Sequence, residues 1–114
     1  MRDRRPFEGD FMSWNDLEMK VIRWAEARKI IPNATPSSQL LKAVSEFGEL
    51  CDAEGKRDHD AIQDAVGDVL VCLINYCALR DISIVKCLGG AYDQIKDRKG
   101  TLMPDGTFVK DVER

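Results

Sequence analysis

Glu46 and Glu49, in Ser45-Glu-Phe-Gly-Glu-Leu50, and Asp64 and Asp68, in Asp64-Ala-Val-Gly-Asp-Val-Leu70, are the side chains whose type and spacing could do chemistry. On a helix, a step of three residues puts the two glutamates within about 60° of each other, and a step of four puts the two aspartates within about 40°. An exposed Glu-x-x-Glu is commonly no more than a solvated face. Two features set these pairs apart: each ends in a glycine step, Gly48-Glu49 and Gly67-Asp68, and each lies in an apolar stretch. Glycine inside a helix costs about 1 kcal/mol relative to alanine, so its place beside each acid implies close helix approach or room for a ligand. Two facing helices that each present an acid pair make an oxygen cage for a hard divalent cation, which magnesium fits best, with manganese as a substitute. The Glu-x-x-His pairs of a di-iron carboxylate bundle are absent from the sequence.

The stretch that must position Asp68 runs from Ala65 to Leu79, where Asp68 and Asn75 are the only strongly polar side chains. It reads as a helix buried nearly all round. Such a helix must be covered on every face, which a small bundle can hardly do, so a second subunit is expected against it. An ionised Asp68 in that setting costs several kcal/mol or more unless it is paired, protonated or bound to metal.

The other elements follow from periodicity and caps. Leu17, Val21, Trp24 and Ala25 recur at helical spacing from Trp14 to Arg28, with Ser13 or Asn15 as cap. Thr35-Pro36 opens a second helix that runs to about Glu54, with Gly55 as its stop. Asp58 or Asp60 opens the third, which ends near Arg80. A fourth, capped by Asp81 or Ser83, continues through Ile84, Leu88, Tyr92 and Ile95 until Gly100. Pro104-Asp105-Gly106 between short apolar arms predicts a hairpin in the tail 101–114, and residues 1–12 are expected to be loosely ordered.

With 114 residues and no linker or composition shift, the chain is expected to form one all-α domain, a four-helix bundle. A net charge of -3 and a pI near 5.2 argue against a nucleic-acid partner. No segment reads as approaching the apolar length of a membrane span, and the N-terminus lacks a signal-peptide core, so the expected location is cytoplasmic. Cys51, Cys72, Cys77 and Cys87 lack metal-site spacing and read as buried free thiols, which argues against structural zinc.

The chain resembles the all-α nucleoside triphosphate pyrophosphohydrolases of the MazG type, closest to the small stand-alone members of phages and bacteria. The likeness runs from Trp24-Ala-Glu-Ala-Arg28 through Gln39-Leu-Leu-Lys42, Glu46-Phe-Gly-Glu-Leu50 and Asp64-Ala-Val-Gly-Asp-Val-Leu70 to Ile95-Lys-Asp-Arg-Lys-Gly100. The resemblance implies magnesium-dependent cleavage of a nucleoside triphosphate between the α and β phosphates, in a dimer or dimer of dimers. It implies that Glu46, Glu49 and Asp68, with Asp64, hold the metal and that Glu49 or Glu46 takes a proton from the attacking water. Lys96 and Arg98, with Lys99, would meet the outgoing phosphates, Asp93 metal or ribose, Lys42 the substrate, and Trp24 the base. Each has a plainer reading: Lys42 as an i,i+4 partner of Glu46, Lys96 and Arg98 as cations at a helix end, and Trp24 as core. Two departures stand out. Ser45 occupies a place where the family often has glutamate, and Ala65 stands where its second motif has one, leaving Asp64 as substitute, about 100° away around the helix. The alternatives are a catalytically inactive helical dimer, with the acids paired to Lys42, Arg28 or a partner chain, and a related hydrolase of dUTP, dCTP or phosphoribosyl-ATP.

Overall fold

Capping decides where each helix begins in the computed structural model, which describes residues 12–112. The Ser13 hydroxyl accepts from the Asp16 amide at 3.1 Å and starts α1, Trp14–Ala27. The Thr35 hydroxyl accepts from the Ser38 amide at 3.1 Å and starts α2, Pro36–Gly55, whose first residue is the proline that needs no amide partner. The Asp58 carboxylate accepts from the Ala61 amide at 3.2 Å and starts α3, His59–Leu79. Helix α4, Ile84–Ile95, is followed by the antiparallel strands β1, Gly100–Leu102, and β2, Phe108–Lys110. The expected loose segment at the N-terminus lies, Met12 apart, outside the described residues.

The helix ends differ from the sequence expectation. Gly55 is the last residue of α2 rather than its stop. The left-handed position after the first three helices is held by Lys29, Arg57 and Asp81, with φ of 64°, 54° and 58°. In each case two amides turn back onto the last turn: Lys29 to Glu26 and Ile30 to Ala25, Arg57 to Glu54 and Asp58 to Ala53, Asp81 to Ala78 and Ile82 to Cys77, all between 2.9 and 3.1 Å. That is the Schellman arrangement without its usual glycine; its two hydrogen bonds offset the steric cost of a left-handed non-glycine residue. Gly100 does not end α4 but opens β1. It is required there, because a β-carbon would press on the Val109 carbonyl oxygen and meet the Phe108 ring at 2.6 Å.

Two compact units divide the chain, one up to Ile84 and one from Val85. In the first, α2 and α3 pack along each other as a helical hairpin across the short link Lys56–Asp58, and α1 packs on α3. The buried apolar residues are small: Ala25, Ala43, Ala53, Ala65, Cys72, Cys77 and, as the one large aliphatic among the described residues, Ile74. Small side chains let helix axes approach, which leaves larger ones outside; Leu41, Val44 and Phe47 of α2 are 72%, 69% and 57% exposed. In the second unit α4 is followed by the hairpin, whose turn is closed by Met103 N–H to the Thr107 carbonyl at 2.7 Å and by the Asp105 carboxylate, which accepts from the Thr107 amide. That bond holds the Asp105 carboxyl below the usual carboxylate range.

Three expectations are corrected. Helix α3 is not buried all round in this chain: Ala65, Cys72, Ile74, Asn75 and Cys77 are buried, whereas Val66 and Asp68 are exposed. By length and composition α3 is also long and apolar enough to cross a membrane, contrary to the reading that no segment is; in the chain it serves as the element on which α1 and α2 pack. Of the four free cysteines only Cys72 and Cys77 are buried, Cys51 and Cys87 being exposed.

Candidate functional site

Lys42, Glu46 and Glu49 stand at helical positions i, i+4 and i+7 on α2, and Asp68 and Cys72 at i and i+4 on α3. The structure brings these five groups into one electrostatic neighbourhood. Glu46 is buried at 8% exposure, and its Oε1 lies 3.3 Å from Lys42 Nζ. Its other oxygen, Oε2, is buried and accepts no hydrogen bond. The Glu49 carboxyl is pushed up from its ordinary value, first by a hydrogen bond shared with Glu46 and then by the charge of Glu46, by burial and by the charge of Asp68, against the opposing Lys42. Two carboxylates share such a bond only while one is protonated; with both ionised, Glu46 Oε2 has no donor. Glu46, first by hydrogen bonding and then by charge, raises Lys42 as well.

Cys72 was not singled out by its sequence, yet it lies among the acids. Burial pushes its thiol up, and the charges of Glu46 and Asp68 push it further. The available signal was its place one turn after Asp68 on the same face of α3. Asp68 is an α3 acid whose charge acts on Glu49 and Cys72. Asp64 is exposed and engaged in interactions of its own. A β-carbon on Gly48 or Gly67 would meet nothing within 4 Å, so close helix approach is not what these glycines serve.

Among the described residues no three His, Cys, Asp or Glu side chains stand ready-clustered as a metal site. The donor chemistry nevertheless suits a hard cation. Glu46 supplies a buried acceptor with no donor and its charge bears on Glu49, and both conditions are relieved by a divalent ion on carboxylate oxygen. Because Glu49 titrates higher in the fold than in the unfolded chain, its contribution to stability is present below the ordinary glutamate value and is lost as the pH rises through the raised one. In metal-free buffer the melting temperature of wild type relative to Glu49→Gln should therefore fall across that interval. A pH series of thermal melts in chelator, showing a constant difference, would contradict this.

Of the remaining expected site residues, Trp24 is on α1, and Asp93, Lys96 and Arg98 belong to the second unit. Trp24 is 43% exposed rather than core, and the Arg28 guanidinium stacks over its ring at 4.8 Å from the centroid. In the second unit Lys96 Nζ is 3.6 Å from Asp93 Oδ1. Lys96 and Arg98 follow the end of α4 instead of forming its last turn. Arg98 lines a cleft of about 730 Å³ with Lys99, Lys110, Asp97 and Asp111.

Against known structures, the chain superposes on the cyanophage S-2L MazG-like pyrophosphohydrolase bound to dGDP and three catalytic Mn2+ ions per active site, with a TM-score of 0.68. The match covers 90% of this chain and 97% of that one at 18% sequence identity. The fold is MazG-like. An uncharacterized 18.2 kDa protein from the rep-hol intergenic region of Haemophilus phage HP1 (strain HP1c1) is 40% identical over 58 residues, 51% of this chain but 36% of that protein. No family model matches the chain. Within the MazG-like fold the acid pairs occupy α2 and α3, the two helices that pack most extensively on each other.

Proposed function

We propose that the protein is a magnesium-dependent nucleoside triphosphate pyrophosphohydrolase, with manganese as a substitute, acting in the cytoplasm on (d)NTP to give (d)NMP and pyrophosphate. The observation that carries the reading is the buried, donorless Oε2 of Glu46 beside Glu49, a carboxyl on which the charge of Asp68 also acts. The MazG-like fold, and the neighbour's nucleotide and manganese, support it. Glu46, Glu49 and Asp68, with Asp64 in a lesser part, would hold the cation. When bound, a divalent cation supplies charge neutralisation at the phosphates and a water of lowered pKa.

The chain's own groups do the rest. Glu49, exposed at the edge of the acid cluster, accepts the proton of the water that attacks the α phosphorus. The bond from that phosphorus to the bridging oxygen breaks, and pyrophosphate leaves. Glu46, buried and held by Lys42, keeps its place through the step and gives the site a fixed point. Trp24, with one face of its ring under Arg28, offers an apolar surface to a base. The roles that the resemblance implies for Lys42, Asp93, Lys96 and Arg98 belong to the same reading. A screen of ordinary and deoxy triphosphates with magnesium, reading monophosphate and pyrophosphate, tests it; orthophosphate as the product, or no turnover of any triphosphate, would refute it.

Asp64 and Ala65 give a sharper expectation. If Asp64 stands in for the family's glutamate, Asp64→Ala lowers magnesium affinity and rate by about 10–100-fold, the range for groups that support a ligand. Ala65 is 5% exposed, so Ala65→Glu would drive a charge into the packed side of α3 and does not serve as a rescue. Unchanged rate and metal affinity in Asp64→Ala would confine Asp64 to its present structural interactions.

A homodimer or dimer of dimers is part of the proposal. Leu40, Leu41, Val44 and Phe47 form an exposed apolar stripe on α2, and α3 is only half covered; surfaces of that kind belong against a partner. Sedimentation at micromolar concentration should give twice or four times the chain mass, and a folded monomer would count against it.

A further inference from the structure

We propose that Lys42 is an exchange residue: it holds Glu46 while the site is metal-free and passes to the nucleotide phosphates when cation and nucleotide load together, so that the site favours the metal–nucleotide complex over free metal. This rests on the reading of the acids as a metal site and adds to it what selects the loaded state.

Three observations carry it. First, the ion pair is lopsided: the Lys42 side chain is 63% exposed and the Glu46 side chain 11%, with Nζ 3.3 Å from Oε1. The carboxylate is the fixed member, and the lysine, on a flexible four-carbon stem, is the one able to leave. Second, Lys42 occupies one oxygen of Glu46 while the other, buried Oε2, has no donor. A dication on that carboxylate would stand within a few ångströms of the ammonium, and at a partly solvated site the repulsion weakens metal binding by about three- to tenfold. Third, Glu49 and Asp68, the acids grouped with Glu46, are themselves exposed, so a ligand can reach them from solvent. A polyanion brought there with the metal relieves the repulsion, since the phosphates take over the ammonium that Glu46 gives up. Lys42 therefore opposes the free cation and favours the cation that arrives with phosphate.

The test uses Mn2+ as probe, titrated by electron paramagnetic resonance into the full chain, with and without a non-hydrolysable α,β-methylene nucleoside triphosphate. Lys42→Met should bind free Mn2+ about three to ten times more tightly than wild type and, at saturating Mn2+, bind the analogue about ten times more weakly. Lys42→Arg should stay near wild type in both. Melting curves of all three proteins verify folding, which an exposed position is expected to tolerate. Free-Mn2+ affinity unchanged or weaker in Lys42→Met overturns the exchange even if the analogue binds less well, because Lys42 would then be a phosphate contact alone. Failure of the wild type to bind Mn2+ in either state instead overturns the parent reading of the acids.

Discussion

Glu46→Gln is expected to lower pyrophosphate release by more than about a hundredfold, beyond the ~10–100-fold typical for losing a group that merely supports a ligand, while leaving the metal-free protein as stable as wild type or more so. The substitution keeps the shape of a side chain that is 8% exposed and removes its charge. Lys42 loses a partner but remains largely solvated, and an exposed ion pair is worth ~0–1 kcal/mol. The new amide can donate to the Glu49 carboxylate that Glu46 meets in the metal-free state, replacing repulsion with a hydrogen bond. The magnesium-induced rise in melting temperature should vanish. The decisive readings are thermal melts with and without magnesium beside a pyrophosphate assay. A fall of about 3 to 5 kcal/mol in metal-free stability would mark Glu46 as a buried structural ion-pair member instead, and full turnover would remove it from the site.

Asp68→Asn should have a comparable effect on turnover, about a hundredfold or more, or roughly 2.7 kcal/mol of transition-state stabilisation, with a different stability signature. Asp68 is exposed in the chain, so the desolvation cost anticipated for it from its apolar surroundings is not imposed by its own subunit. What it does in the fold is add negative charge to Glu49 and Cys72. Neutralising it relieves repulsion, and the metal-free melting temperature should hold or rise slightly while the magnesium shift shrinks. Loss of rate together with a large loss of metal-free stability would favour a structural pair; unchanged rate would show that Glu46 and Glu49 act without it.

The two substitutions separate because one acid is inside and the other outside. That difference was not legible in the chain. Glu46 and Glu49 sit three residues apart in a stretch whose local pattern treats them alike, yet α3 covers Glu46 and leaves Glu49 in water. Burial depends on which face of α2 the neighbouring helix meets, and the large Leu41, Val44 and Phe47 fall on the side that α3 leaves open, contrary to what hydrophobicity alone would assign.

Local rules determined much of the rest. Ser13, Thr35 and Asp58 begin helices because a side-chain oxygen beside free amides needs no tertiary partner, and Pro104-Asp105-Gly106 makes a hairpin turn because Gly106 takes φ of 89° at no steric cost. The periods that pair Glu46 with Glu49 and Asp64 with Asp68 were equally local. Tertiary structure decided that the charge of Asp68 acts on Glu49, that Cys72 lies among the acids, and that Glu46 keeps one oxygen on Lys42 and the other without a donor. Those facts arise from the register of α2 against α3: a shift of one residue turns a helix by about 100° and exchanges which acids meet, and only the packing of two specific surfaces selects that register.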